Sequence, residues 1–330
     1  MPLDSATLKY FNVLKNVTKK DQRPINEIPL NEYRSMAQEY FLTLAETELM
    51  NGVLIKNYFD KLNDGSDIVF TIYRPRNKHQ GTIVFFPGGG YIFNINNHHV
   101  PCSKIAGISN CIVIVPTLPL APEYNQLQII NKAYMFICLI YNNSCKYDLN
   151  VKDFFCVSGH SSGGNIAALI SIKARDEQSF FMPKITHQLL MSPRVDVSRE
   201  VGGEYFKWCE YQDADIMLNS ETQAYFATQY IPAGMDPKSK ELSPYYADLR
   251  ELPPTTIIFG EFDGLRGDAE IYCQKLSESG VPVEKFMCLG QVHNTMICRK
   301  VLFSGKDPAE LAGELMDQQS KLTYHINCKL

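Results

Sequence analysis

Along most of the chain, short apolar runs alternate with stretches whose apolar residues recur every three or four positions, and this rhythm sets the expected architecture. Before it begins, residues 1–50 read as two helices joined by a polar, proline-containing loop, Asp21 to Pro29. In the first, Tyr10, Val13, Leu14 and Val17 fall at i, i+3, i+4 and i+7, with Lys9, Lys15 and Lys19 off the stripe. In the second, Met36, Tyr40 and Leu44 recur every fourth residue, flanked by Phe41 and Ala45. Strands are predicted at Val53-Leu54-Ile55, from Ile68 to Tyr73 and from Thr82 to Phe86. The last of these is apolar without alternation, as a strand buried on both faces should be. It stops at Pro87-Gly88-Gly89-Gly90-Tyr91.

A strand from Cys111 to Val115 follows, then a proline-rich loop, Pro116 to Pro122. The next helix places Leu127, Ile130, Tyr134, Ile137, Cys138 and Tyr141 on one face. After it come the strand Phe154 to Val157, a helical run Ile166 to Ile170, and the strand Gln188 to Met191. Residues 199–240 break the rhythm. They carry Tyr205, Phe206, Trp208, Tyr211, Tyr225, Phe226 and Tyr230 with no strand-like run, which predicts an inserted helical lid. The rhythm returns with the strand Thr255 to Phe259, a helix carrying Ala269, Tyr272, Cys273 and Leu276 that ends at Gly280, the strand Val281 to Met287, and a helix around Ala309 to Leu322. Such alternation predicts an α/β fold: a mostly parallel central sheet with helices on both faces. The expected division is 1–50 as helices contributing to a cap, 51–198 with 241–330 as the main domain, and 199–240 as the cap insertion.

Composition narrows the function classes more than the fold. A length of 330 residues with 45% hydrophobic content supports a sizeable core. The net charge of −4 and the scattered Lys and Arg residues form no basic stripe, so no nucleic-acid partner is expected. Of the ten cysteines, Cys111, Cys138, Cys156, Cys273 and Cys288 sit inside apolar patterns, as buried free thiols do. No Cys-x-x-Cys pair or Cys/His ligand spacing occurs, so no metal site is expected. The first residues show no basic region followed by an apolar stretch, and the longest apolar runs, such as Met135 to Tyr141, are too short to cross a bilayer. A cytoplasmic chain without stable membrane insertion is the expectation, with homo-oligomerisation left open. Cys328-Lys329-Leu330 departs from the peroxisomal tripeptide Ser-Lys-Leu at its first position, and the sequons at Asn16 and Asn142 carry little weight without a secretory signal.

The chemistry concentrates at Gly159-His160-Ser161-Ser162-Gly163, between the strand ending at Val157 and the helical run from Ile166. A G-x-S-x-G turn between strand and helix projects its serine from a sharp apex, and the helix N-terminus aims free N–H groups at the reacting oxygen. A serine hydroxyl needs a base, and the base a group that orients it. Three histidines lie downstream of Ser161: His187 at the start of a buried strand, His325 in the C-terminal tail, and His293 in a loop directly after the last strand. His293 is the candidate base. Asp263, after the strand Ile257-Ile258-Phe259, is the first-ranked acid; Glu261, Asp268 and Asp196 remain rivals. Gly88-Gly89-Gly90 follows a strand end and lets backbone approach a substrate closely, so Gly88, Gly89 and Ser162 are the expected oxyanion donors.

Several motifs together resemble the hormone-sensitive-lipase-like α/β-hydrolases, which include many bacterial carboxylesterases. Phe85-Phe86-Pro87-Gly88-Gly89-Gly90-Tyr91 is similar to their His-Gly-Gly-Gly stretch. Leu120-Ala121-Pro122-Glu123, the Ser161 elbow, Met191-Ser192-Pro193, Ser243-Pro244, Leu252-Pro253-Pro254, Asp263-Gly264-Leu265-Arg266 and the His293 loop follow in order. The resemblance implies an α/β-hydrolase fold under a helical cap, and hydrolysis of small to medium carboxylic esters without a cofactor. Pro87 stands where the family has histidine, Leu118-Pro119 where it has Tyr-Arg, and His160 where it has aspartate. The expected function is a serine carboxylesterase acting on a small-molecule ester. An amide hydrolase with the same triad, or a binding protein that has lost its chemistry, are the alternatives.

Overall fold

Every side chain of the strand Thr82–Phe86 is buried, as its uninterrupted apolar run requires. It is the third strand of an eight-stranded sheet: β1 (Val53–Lys61), β2 (Asp67–Pro75), β3 (Thr82–Phe86), β4 (Ile112–Pro116), β5 (Phe155–His160), β6 (His187–Met191), β7 (Thr255–Gly260) and β8 (Val283–Cys288). The order across the sheet is β1-β2-β4-β3-β5-β6-β7-β8. The β1–β2 and β2–β4 pairings are antiparallel, and every pairing from β4 to β8 is parallel. The structure is a computed structural model that describes residues 23–77, 79–94, 98–177, 184–200, 218, 220–298 and 306–327.

Parallel neighbours need crossover connections, and helices cover both faces. The described helices are α1 (Leu30–Leu44), α2 (His99–Ser109), α3 (Gln126–Asn142), α4 (Ser162–Glu177), α5 (Ser220–Tyr230), α6 (Arg266–Glu278) and α7 (Pro308–Asn327). Alternation along the strands divides the core in two. Val84, Phe86, Ile114 and Val157 face α3, α4 and α6, packing with Ile137, Ile170 and Tyr272. Ile83, Phe85, Val113 and Cys156 face the other way, against Tyr40 and Phe41 of α1, Ile105 of α2 and Met316 of α7. Asn125 and Gln128 form a reciprocal capping box that starts α3 where its apolar stripe begins.

Two elements depart from the sequence expectation. β1 extends to Lys61 instead of ending at Ile55, because its register with β2, from Val53 opposite Pro75 to Lys61 opposite Asp67, carries it through a polar stretch. α2 has no predicted counterpart. Seven of its eleven residues are buried, so it has no polar stripe to produce a helical period, and Pro101 sits in its first turn, where a missing N–H costs nothing. The expected first helix around Val13 and Leu14, and the aromatics Tyr205, Phe206, Trp208 and Tyr211, lie outside the described residues. The eight described cysteines are free thiols, seven buried and Cys145 exposed. Among the described residues, no helix is long and apolar enough to cross a membrane.

Candidate active site

Because β3 and β5 to β8 run parallel, their C-terminal ends share one edge of the sheet, where ligands of such sheets bind. The segments after β3, β5, β7 and β8 carry Gly88-Gly89-Gly90, Ser161, Asp263 and His293 respectively. Ser161 sits between β5 and α4 with φ of +58°, a left-handed conformation costly for a non-glycine residue. The surroundings hold it there: its N–H donates to the Met191 carbonyl at 2.9 Å, and its carbonyl accepts from the N–H groups of Asn165 and Arg194, each at 3.2 Å. Glycine at 159 and 163 is required by contact as well. A β-carbon at 159 would lie 2.1 Å from the Gly163 carbonyl oxygen.

The structure brings three of the sequence candidates into one hydrogen-bonded chain. His293 Nε2 lies 2.9 Å from Ser161 Oγ, and His293 Nδ1 lies 2.8 Å from Asp263 Oδ1. Ser161, His293 and Asp263 are all buried. Burial works to raise the Asp263 carboxyl, but the adjacent His293 ring and the Leu265 N–H, which donates to Oδ1 at 2.7 Å, hold it below the usual carboxylate range. The rival acids are engaged elsewhere. Glu261 accepts from the Gly290 N–H at 2.9 Å and so braces the loop carrying His293. Asp268 accepts from the N–H groups of Val195 and Asp196, and Asp196 accepts from Ser198. His187 pairs with Thr256 across the β6–β7 boundary, and His325 falls in the last turns of α7.

The Gly88 N–H has His98 Nε2 within reach as an acceptor, 3.4 Å away. Gly89 and Gly90 line the cavity beside Ser161, and the N–H groups of Gly89, Gly90 and Ser162 have no acceptor among the described residues. Gly89 (φ +134°) and Gly90 (φ +60°) occupy backbone conformations open mainly to glycine. His98 was not a sequence candidate, and nothing in its local pattern marks it. It reaches a site that Pro87 cannot serve, since proline has neither a ring acceptor nor an N–H. His98 Nε2 also lies 3.5 Å from His160 Nδ1.

His160 takes a role that its position inside the motif did not announce. Its Nε2–H donates to the His293 carbonyl at 3.2 Å, and its ring stacks on the His293 ring with centroids 5.1 Å apart. Burial first, then the neighbouring His293 and His98 rings, push its protonation well below the ordinary histidine range, so it is a neutral platform beneath His293.

A cavity of about 30 Å³ opens over Ser161, with Phe41, Phe93, Leu218, Phe226 and Ile297 as its apolar wall. Phe93 and Phe226 meet edge to face at 5.5 Å, backed by Tyr33. Arg34 ties α1 to this region by hydrogen bonds. Arg34 donates Nε–H to the Ile92 carbonyl at 3.0 Å and Nη2–H to the Ala121 carbonyl at 2.6 Å, and grips both oxygens of Glu123. Among the described residues, no three His, Cys, Asp or Glu side chains converge to hold a metal ion.

The pattern that defines the alpha/beta hydrolase fold matches residues 83–297. The chain is 26% identical over 303 residues to a putative alpha/beta hydrolase of Acanthamoeba polyphaga mimivirus, covering 88% of this chain and 80% of that protein. It is 30% identical over 238 residues to an arylesterase of Saccharolobus solfataricus, covering 71% and 74%. The fold superposes on the hyperthermophilic esterase of Pyrobaculum calidifontis with a TM-score of 0.82 at 23% identity, covering 99% of each chain.

Proposed function

The chain belongs to the alpha/beta hydrolases, in the hormone-sensitive-lipase-like group that its motifs resemble, and from that premise we propose that it is a serine carboxylesterase. The observation that carries the reading is the continuous chain Asp263–His293–Ser161 beside an apolar cavity with unpaired backbone donors.

Ser161 Oγ attacks the acyl carbon as its proton passes to His293 Nε2. Asp263 accepts the Nδ1–H of His293, which fixes the tautomer with a lone pair on Nε2 and stabilises the imidazolium that forms. The Gly89 and Ser162 N–H groups receive the developing oxyanion, with Gly90 beside them, while Gly88 anchors the loop to His98. His293 then returns its proton to the leaving alkoxide. Water enters, gives a proton to His293 and attacks the acyl-enzyme, and the acid departs with Ser161 restored. The relatives named as esterases support this reading, as does a wall contributed by α1 and α5, which we assign to a cap over the site. The buried free thiols fit a cytoplasmic location.

Initial rates on p-nitrophenyl esters, with wild type and Ser161→Ala, test the mechanism together with fluorophosphonate labelling. Wild type should turn over and label, and the variant should do neither. Ester cleavage that survives the substitution would refute the assignment.

A further inference from the structure

We propose that His160 is a positioning residue for the base: the elbow that carries the nucleophile also holds His293, through a hydrogen bond from the His160 ring to the His293 backbone. The proposal rests on the esterase reading above. Ser161 and His160 are neighbours in the chain and reach His293 at two different points. Ser161 Oγ lies 2.9 Å from Nε2 of the His293 ring, and His160 Nε2 lies 3.2 Å from the His293 carbonyl oxygen. A carbonyl oxygen only accepts, so the His160 ring carries its proton on Nε2 and a lone pair on Nδ1. The two rings stack, 28° from parallel with centroids 5.1 Å apart. Nucleophile and base are thereby referred to one piece of backbone.

The loop that carries His293 is gripped from two strands. On the β7 side, Glu261 accepts from the Gly290 N–H at 2.9 Å, and the Phe262 N–H donates to the Gln291 carbonyl at 2.8 Å. His160, the last residue of β5, adds a grip on residue 293 itself. Its ring has little room to drift away from the base. A β-carbon placed at Gly88 would lie 2.8 Å from His160 Nδ1, so the glycine loop closes against the far edge of the ring. His98 Nε2 lies 3.5 Å from the same nitrogen. The titratable groups that face His160 are His293, His98 and Asp263. Burial and the two neighbouring rings keep it neutral against the opposing pull of the His293 carbonyl and Asp263. Neutrality serves the reaction, because His293 becomes an imidazolium in each half of the cycle and a second cation in the stacked ring would oppose it.

The test separates the donor from the ring. His160→Gln keeps an N–H donor at the Nε2 position, His160→Phe keeps a flat ring without the donor, and His160→Asn carries an amide one methylene too short. kcat and KM for p-nitrophenyl acetate are measured per Ser161 site titrated to completion with a fluorophosphonate, so that unfolded protein drops out. His160→Phe and His160→Asn should lose about 10- to 100-fold in kcat with KM changed by less than about 3-fold, the result of a base displaced by up to about 1 Å. His160→Gln should stand about 5-fold or more above both. His187→Gln, which removes a buried histidine outside the site, should keep the wild-type kcat per titrated site. An unchanged kcat in His160→Phe with only a lowered urea midpoint makes the residue structural and overturns the proposal. Equal losses in His160→Gln and His160→Phe overturn it as well. If no His160 variant folds, ¹⁵N spectra of the histidine rings in wild type decide. A His160 ring that stays neutral with its proton on Nε2 from about pH 8 to about pH 5 upholds the proposal, and one protonated on Nδ1 in that range overturns it. A wild-type enzyme that cleaves no ester and takes no fluorophosphonate label removes the esterase reading, and the proposal with it.

Discussion

A single methyl group placed at residue 163 tests whether the elbow presses on the sheet as tightly as the structure shows. In Gly163→Ala the new β-carbon would stand 1.9 Å from the Phe86 carbonyl oxygen, 2.6 Å from its carbon and 2.7 Å from the Pro87 carbonyl oxygen. Carbon and oxygen approach comfortably to about 3.3 Å, so the start of α4 and the end of β3 must part by about 1.4 Å. All three obstacles are backbone atoms, and no rotamer change relieves them. α4 cannot simply retreat. Gly164 lies against Pro193, and Asn165 donates to the carbonyls of Arg194 and Leu242. The strain should cost about 1–3 kcal/mol of stability. The same displacement separates Ser161 and Ser162 from the Gly89 loop, and a shift of about 1 Å at reacting groups lowers kcat/KM by about 100-fold. Urea unfolding followed by circular dichroism gives the first quantity from the midpoint at constant slope. Hydrolysis of p-nitrophenyl acetate gives the second. Gly280→Ala is the control: its φ is +77° with nothing within 4 Å, so it should cost about 1–2 kcal/mol of backbone strain and leave kcat/KM unchanged. A Gly163→Ala enzyme as stable and as active as wild type would refute the packing argument.

Three further outcomes follow from polar groups. Burial lowers the His187 pKa to about 3, against about 6.5 in an unfolded chain. The unfolded state therefore binds the extra proton first, and stability falls as pH drops below about 6.5, by about 2 kcal/mol at pH 5, with the loss growing until about pH 3. His187→Gln should flatten the pH dependence of the urea midpoint in that window, with part of the slope kept by His160; an unchanged slope would remove His187 as its source. Arg34→Lys should destabilise by about 1–3 kcal/mol and lower acetate hydrolysis, because an ammonium cannot serve the Ile92 carbonyl, the Ala121 carbonyl and Glu123 together. Glu123→Gln should cost less than about 1 kcal/mol, since the Glu123 side chain is 55% exposed. Equal costs for the two would mean that the carbonyl contacts contribute little.

The contact of Gly88 with His98 shows why the glycine loop could be located from sequence but not oriented. Three glycines after an apolar strand announce a close backbone approach, yet which N–H faces a substrate depends on the partner each one finds. Gly88 finds His98, ten residues on, in a stretch whose own pattern has no chemistry in it. The cavity wall is similar. Phe41 belongs to a helical stripe, and Phe226 to an aromatic segment that also carries Tyr205, Phe206 and Trp208. Periodicity says which face of an element is buried; it does not say against what.

The sequence by itself determined the alternation of strands and helices, the burial of β3 and the sharp turn at Ser161. It also placed Asp263 and His293 just beyond the ends of strands. These follow from local rules: apolar spacing, glycine where side chains cannot fit, and short segments leaving parallel strands. Only the tertiary structure decided that His160 would lie neutral beneath His293, that Arg34 would clamp α1 to the loops around Ile92 and Ala121, and that three phenylalanines from separate segments would close one cavity. Those contacts join residues 58, 87 and 133 positions apart. Their geometry depends on the sheet order and on how each helix settles onto it, which no local pattern encodes.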